Sequence, residues 1–583
     1  MDTVKAACLV GILAMLGGLI ETRIVCKDKT GKEKFLRWFF STAVICLFSS
    51  FFIKFNLNIS QYLHIDEIKA GKYIFAAIVT VIVAVVKILI AVFLNRHCVP
   101  CTEEELKKNL KPLNIICVIL FSLGISLYMF GHFVQIQWSS ITPEQMFVNI
   151  MTPTTGTEFS IYLRGFEHAF LAIGFSILFG VVCCRKVRLE RQTKEKIKTM
   201  LSRTAKSVLC FVIALSLFVT SFFYINSSMS LSKIYKFLFM PSDFIEENYV
   251  DIRDIQITFP EQKRNLIYIY LESMENSYLS KELGGYMDEN LMPELTELAY
   301  EGEVFSNSTR KFGGPMQVTG TEWSMASMVN QTLGIPMKAP KNFSAYKTPG
   351  HFLGGVYGLG DLLKDNGYTQ TMMVGGNKIF GGKSYMYQTH GEFKLVDHTY
   401  ALEHHMLPEG YKVWWGYEDD KLFAFAKDEL NELSQSEKPF NLILATADTH
   451  MPDGYLSDDA PTPYESHYAN AIAYNTRKLT EFIRWVQAQP FYENTTIIMI
   501  GDHHSMDSKF FADFDENYLR TTFNLILNPA ESVKNTDASR FVNRTYANFD
   551  MLPTTLAALG CEIEGNKAGM GTNLYSDEKN DRR

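Results

Sequence analysis

Apolar residues are spread very unevenly along this chain. Up to about Ile225 they form long runs; after Glu246 they come in short runs separated by polar, glycine- and proline-bearing stretches. Six early runs, at about 4–21, 37–56, 73–94, 113–134, 166–184 and 206–225, each approach the ~20 residues that a helix needs to cross a hydrocarbon core. The first lacks a strongly basic start and a small-residue cleavage site, and more runs follow it, so it reads as a span rather than a signal peptide. The pattern therefore predicts a transmembrane domain of about six helices over 1–225.

Loop charges suggest an orientation. Loop 22–36 with Arg37 holds six Lys/Arg, loop 95–112 holds four, and loop 185–205 with Lys206 holds nine. The alternate segments hold Lys5 alone, three between Lys54 and Lys72, and Arg164 alone. The positive-inside rule places the first set in the cytoplasm and everything after residue 225 outside. His132, Glu167 and His168 then read as interfacial residues or lipid head-group contacts. Residues 135–165 form the longest outer loop and are expected on the membrane surface.

The second half changes period. Residues 226–263 read as a connector with an amphipathic helix, 264–575 as a folded domain and 576–583 as a polar tail. Strands are predicted at 265–273, 368–376, 440–448, 495–503 and 522–528, and helices at 291–301, 321–333, 358–366, 420–434 and 468–487. Such alternation predicts an α/β fold with a mostly parallel or mixed sheet covered on both faces. Ligands in these sheets bind beyond the carboxyl ends of the strands. There the chain carries Glu272 after the first strand, Asp448, His450 and Asp453 after the 440–446 run, and Asp502 and His503 after IIMIG.

Two carboxylates and an imidazole suit a hard or borderline divalent cation such as Mn²⁺, Mg²⁺ or Zn²⁺. Thr321 stands near the start of a predicted helix, where free N–H groups favour a phosphate. A metal there would lower the pKa of its hydroxyl and polarise a phosphoryl oxygen. Taken singly, each residue has a structural reading: Thr321 as a helix N-cap, the carboxylates as strand-end polar groups, His504 as a neighbour. Their convergence on one sheet edge carries the chemistry. The net charge of −7 and the absence of a basic, aromatic-interleaved stripe argue against a nucleic-acid partner. Nine of ten cysteines lie before residue 226, so Cys561 has no disulfide partner in the second half. Cys98-Val-Pro-Cys101 has no second pair to complete a zinc site.

Several blocks in order carry a resemblance: LES with Glu272, GTEWS with Thr321 followed by GIP, WGYEDD (415–420), DTHMPDGY (448–455), GDHH (501–504) and FDMLPTTLAALG (549–560). From about 240 to 575 the chain resembles the sulfatase/alkaline-phosphatase superfamily, in its lipoteichoic acid synthase and glucan-modifying phosphoglycerol transferase branch. The resemblance implies a multi-span α-helical membrane domain joined to an α/β sulfatase-like (alkaline-phosphatase-like) extracytoplasmic domain in a bacterial cell (inner) membrane. It implies that Glu272, Thr321, Asp502 and His503 bind one divalent metal, commonly Mn²⁺, with Thr321 the nucleophile. It places substrate contacts at His450 and at Asn377, Lys378 and Lys383. It implies phosphatidylglycerol as donor and a glycan or glycerol-phosphate polymer as acceptor. A hydrolase or phosphoethanolamine transferase of the same fold, and a non-catalytic lipid or polysaccharide binder, are the alternatives. Lipoteichoic acid synthases have a histidine where this chain has Gly375, which points towards the glucan-modifying type. No C/S-x-P-x-R motif of a true sulfatase is present.

Overall fold

The computed structural model describes residues 2–55, 71–138, 145–146, 148, 155, 159–192, 197–229, 235–236, 239–240, 243–337, 345–348, 350–507, 509–534 and 536–578. Two compact units emerge: Met1–Gln137 with Ser160–Met229, and Trp138–Phe159 with Ser230–Arg583. Most of the 135–165 loop, and parts of the 226–263 connector, lie outside the described residues. Within that connector the described helix of most residues, Phe244–Asn248, is too short to show an amphipathic face.

In the first unit each apolar run becomes a long helix: Asp2–Val25, Gly31–Phe55, Gly71–His97, Lys111–Trp138, Phe159–Cys184 and Arg203–Met229. Each contains a stretch of 20 to 28 residues long and apolar enough to cross a membrane. Phe39, Leu89, Phe170 and Phe223 point outward, a surface suited to lipid rather than water. One carboxylate is buried among these helices. Glu21 accepts from Arg37 Nε at 2.8 Å and Ser41 Oγ at 2.7 Å, and pairs with Lys87. A buried charge is tolerated when paired in this way. The basic loops also pair: Cys98–Pro100, Val187–Gln192 and Ile197–Leu201 form an antiparallel sheet. Hydrophobic periodicity does not announce these short polar strands.

The second unit is built on a six-stranded sheet: β1 (Asn265–Leu271), β2 (Thr369–Val374), β3 (Lys394–Val396), β4 (Phe440–Ala445), β5 (Thr495–Gly501) and β6 (Asn524–Leu527). Its order is β6-β5-β1-β4-β2-β3, parallel throughout except for the antiparallel edge β6. The strands alternate apolar residues between the two faces, with period 2. Leu266, Tyr268 and Tyr270 of β1, with Ile498 and Ile500 of β5, pack on one face. Ile267, Ile269 and Leu271, with Ile497 and Met499, pack on the other. Helices α1 (Pro293–Tyr300), α4 (Asp419–Leu433) and α5 (His467–Gln487) cover the second face, and α2 (Ser324–Leu333) and α6 (Met551–Ala558) cover the first. Helix α3 (Leu359–Asp365) also packs on the first face. Both faces are therefore dry, which explains why β1 and β5 read as nearly continuous apolar runs. Centrally placed β1 pairs with β5 over seven residues, from Asn265↔Thr495 to Leu271↔Gly501. Their carboxyl ends thus stop side by side, and the residues that follow share one edge. Gly501 is required there, because a Cβ would fall 1.9 Å from the Met274 carbonyl oxygen.

Candidate active site

Glu272, Asp502 and His503 converge beyond that edge. All three are buried, and one ligand atom of each lies within 4.8 Å of the others. His503 Nε2 is 3.5 Å from both Glu272 Oε1 and Asp502 Oδ2. Backbone geometry orients the trio. Asp502 Oδ1 accepts from Ser273 N and His503 N, each at 2.8 Å, and so leaves Oδ2 for the centre. His503 Nδ1 donates to the His504 carbonyl at 2.8 Å, which fixes Nε2 as the nitrogen presented. Among the described residues no Lys or Arg forms an ion pair with either carboxylate. A buried pair of carboxylates facing one oriented imidazole is a donor set for a divalent cation.

The electrostatics follow from burial. Burial, helped by the facing Glu272 carboxylate and opposed by His503, pushes the Asp502 carboxyl up to about 7. Burial also works to raise Glu272, but His450, His503 and two serine hydroxyls outweigh it and hold Glu272 below its ordinary value. Burial alone would lower His503; Asp502 and Glu272 reverse that and raise it. The neighbouring His504 is driven down to about 4 by burial and stays neutral.

The hydroxyl at the centre is not the expected one. Thr321 is buried, and its Oγ1 donates to the Val318 carbonyl at 2.7 Å and accepts from Val318 N at 3.0 Å. It closes a turn before α2 and is absent from the walls of the groove. Ser324, three residues on, is the first residue of α2 and follows the extended Trp323. Its Oγ donates to Glu272 Oε2 at 3.0 Å and lies 3.2 Å from His503 Nε2. The first amides of α2 have no acceptor within the helix and favour an anion at this point.

A groove opens beside Ser324, walled by Glu272, Asp502, Asn377, Lys383, His450 and Trp415. His450 Nδ1 donates to the Met451 carbonyl at 2.6 Å, leaving Nε2 as the working nitrogen. Its ring meets Trp415 edge-on at 5.1 Å, and Trp415 lies 5.5 Å from Phe380. Lys383 lies over the Phe380 ring at 5.1 Å. Burial lowers its pKa to about 8, although Glu272 and Asp502 favour its charged form. Asn377 and Lys383 thus reach the groove, whereas Lys378 does not: its Nζ is 3.4 Å from the buried Asp397 and its N–H donates to the same carboxylate at 3.0 Å.

Sequence reasoning missed Ser324 and Trp415, although they stand inside the GTEWS and WGYEDD blocks, and Phe380, which lies between Lys378 and Lys383. The WGYEDD and DTHMPDGY blocks also explain each other. Asp419 accepts from Ala447 N at 2.9 Å and Asp448 N at 3.0 Å, and Asp448 accepts from Asp419 N at 2.8 Å. This reciprocal clasp holds the loop that carries His450. A second clamp, Arg520 on Glu275, holds the loop after His503, with Ser505 N donating to Glu275 at 2.7 Å.

The family described as Sulfatase matches residues 264–561, just over half of the chain. This chain belongs to the sulfatase family. It is 34% identical over 262 residues to phosphoglycerol transferase I of Citrobacter koseri, covering 43% of this chain and 32% of that protein. The chain thus spans about a third of the length of the curated relatives it matches. Among solved structures it is similar to the lipoteichoic acid synthase LtaP from Listeria monocytogenes (19% identity, 56% and 80% of the two chains, TM-score 0.42). It is also similar to an alkaline phosphatase superfamily protein from Vibrio parahaemolyticus (21% identity, 58% and 78%, TM-score 0.41).

Proposed function

We propose that this sulfatase-family chain is a membrane-anchored phosphoglycerol transferase. It would take phosphoglycerol from phosphatidylglycerol and pass it to a glycan or glycerol-phosphate acceptor outside the cytoplasmic membrane. The observation that carries this reading is the Ser324 hydroxyl, placed at a helix start between Glu272 and His503 and opening on a groove with Lys383 and His450. The likeness to phosphoglycerol transferase I supports the choice of group transferred.

Ser324 Oγ attacks the phosphorus of the donor. The bond from phosphorus to the diacylglycerol oxygen breaks, and diacylglycerol leaves with a proton. The glycerol-phospho-serine diester that remains is attacked by an acceptor hydroxyl, and Ser324 recovers its proton. Glu272, Asp502 and His503, with Ser324, would hold one divalent metal, which we assign to Mn²⁺. When bound, that ion supplies Lewis-acid charge that favours the serine alkoxide and the phosphoryl oxygens. Glu272 Oε2 faces the serine proton. Lys383 offers positive charge to the transferring group. His450 Nε2 is placed to give or take the proton of the leaving or entering hydroxyl. A donor that lives in the bilayer accounts for the union of a six-helix unit with this site.

The test is made on full-length protein with Mn²⁺ and a fluorescent phosphatidylglycerol. Diacylglycerol release, with a phosphoglycerol adduct by intact mass that is lost in Ser324→Ala, is expected. Absence of release from metal-loaded protein would overturn the donor. Release with water as the sole acceptor would make it a hydrolase.

A further inference from the structure

The six-helix unit has an opening of its own, well separated in sequence from the groove. Helix Asp2–Val25 and helix Gly31–Phe55 are joined by a short turn, and a cleft of about 570 Å³ opens between them. Its lining includes Arg23, Lys27 and Lys34, together with Thr22, Phe35 and Trp38, and no carboxylate. That size falls within the ~300–1,000 Å³ range of small-molecule sites.

The charge there is not neutralised. Between Leu19 and Trp38 the chain carries Arg23, Lys27, Lys29, Lys32, Lys34 and Arg37 against Glu21, Asp28 and Glu33. Glu21 is occupied on another side by Arg37, Ser41 and Lys87. Glu33 is occupied by Lys29 at 3.8 Å and by the Thr30 N–H and hydroxyl, each at 3.0 Å. Among the described residues Arg23, Lys27 and Lys34 therefore have no ion-pair partner. Cations that serve only to orient a span can stand anywhere on a solvated loop. Here three of them converge on one cleft whose other walls are Leu19, Thr22, Cys26, Phe35 and Trp38. Trp38 already spends its indole N–H on the Met15 carbonyl at 3.1 Å, so it contributes a ring face and not a donor.

We propose that this cleft binds the head group of an anionic phospholipid. The phosphate would lie among Arg23, Lys27 and Lys34, and the glycerol backbone and upper acyl chain against Phe35 and Trp38. Both flanking helices are long and apolar enough to cross a membrane, which puts the cleft at the polar end of the spans, where phosphates of a bilayer lie. The lipid held here would be a resident one, bound independently of turnover at Ser324.

Native mass spectrometry of full-length protein with phosphatidylglycerol or phosphatidylcholine tests this. Wild type should retain phosphatidylglycerol in preference to phosphatidylcholine. The combined Arg23→Gln, Lys27→Gln, Lys34→Gln variant should lose one bound lipid, with affinity for it falling at least about tenfold. The control Lys29→Gln, Lys32→Gln removes charge from the same hairpin outside the cleft lining and should retain it. Equal retention in the triple variant, or equal loss in the double variant, would overturn the proposal. So would displacement of the lipid by inorganic phosphate alone, which would assign a free-phosphate site instead. Both variants leave Glu272, Ser324 and His450 untouched. Diacylglycerol release therefore separates failure of this site from failure of the proposed transfer reaction.

Discussion

Ser324 Oγ donates a 3.0 Å hydrogen bond to Glu272 Oε2, joining the first residue of α2 to the residue that follows β1. The contact brings a hydroxyl to the carboxylate–imidazole trio from 52 residues away in sequence. On the proposed reaction, Ser324 and Thr321, three positions apart, have separate tasks. Ser324→Ala should lower turnover at least about 10³-fold with the fold retained. Thr321→Val should keep turnover per folded molecule but lose about 1–3 kcal/mol of stability, since the Val318 N–H loses its acceptor and the Val318 carbonyl keeps only the Thr321 N–H at 3.1 Å. Steady-state kinetics and denaturant unfolding of the pair check this. The reverse pattern would return the nucleophile to Thr321.

Metal and protons should compete at the trio. Asp502, raised to about 7, and His503, also raised, both hold protons in the folded protein that the unfolded chain has released. Without metal, stability should therefore fall as pH rises from about 5 to about 8. The lowered Glu272 acts in the opposite sense, but only below its ordinary carboxylate range. Metal takes the place of those protons. The rise in Tm on adding Mn²⁺ to chelator-treated protein should be larger at pH 8 than at pH 6. A rise that does not change with pH would place the metal elsewhere.

The two lysines Lys378 and Lys383 should separate. Lys383→Gln should lower kcat/KM about 10- to 100-fold, because it removes charge from the groove. Lys378→Gln should leave kcat/KM within a few-fold, because that ammonium is held by Asp397. The wild-type rate should also decline above about pH 8 as Lys383 gives up its proton. Lys383→Arg should move that decline to higher pH.

The Asp419–Asp448 clasp predicts a defect in positioning. Asp419→Asn keeps one acceptor oxygen, which meets Asp448 N at 3.0 Å and Ala447 N only at the longer 3.2 Å, and it puts an NH₂ donor where the Ala447 N–H now donates at 2.9 Å. Stability should drop about 1–3 kcal/mol. KM should rise more than kcat falls, since the His450 loop is loosened while Ser324 and the trio are untouched. A kcat loss as large as that of Ser324→Ala would show a direct chemical role instead.

Much of this architecture is legible in local pattern. Each predicted strand holds a real one: 265–273 contains β1, 440–448 contains β4, and 495–503 contains β5. The strand predictions overran because the chain turns at Glu272 and Ser273 after Leu271, and leaves the ladder after Gly501, to carry Glu272 and Asp502. Edge strand β3 was missed, being three residues long and paired on one side only. Helix α2 was expected from 321 but begins at Ser324, and that three-residue difference decides which hydroxyl reaches the site.

By itself the sequence determined the six spans, the two-faced parallel sheet and the trio Glu272, Asp502 and His503. Apolar runs report burial directly, and parallel neighbours must end together, so residues at their ends share an edge whatever the loops do. Only the tertiary structure shows that the Ser324 hydroxyl, the Lys383 side chain and an aromatic wall meet at the groove. Ser324 and Thr321, like Lys383 and Lys378, are chemically alike and close in sequence. They are told apart by which partner each meets first: the Val318 carbonyl consumes the Thr321 hydroxyl and Asp397 holds the Lys378 ammonium. Those partners are set by the path of irregular loops, which leaves no periodic trace in the chain.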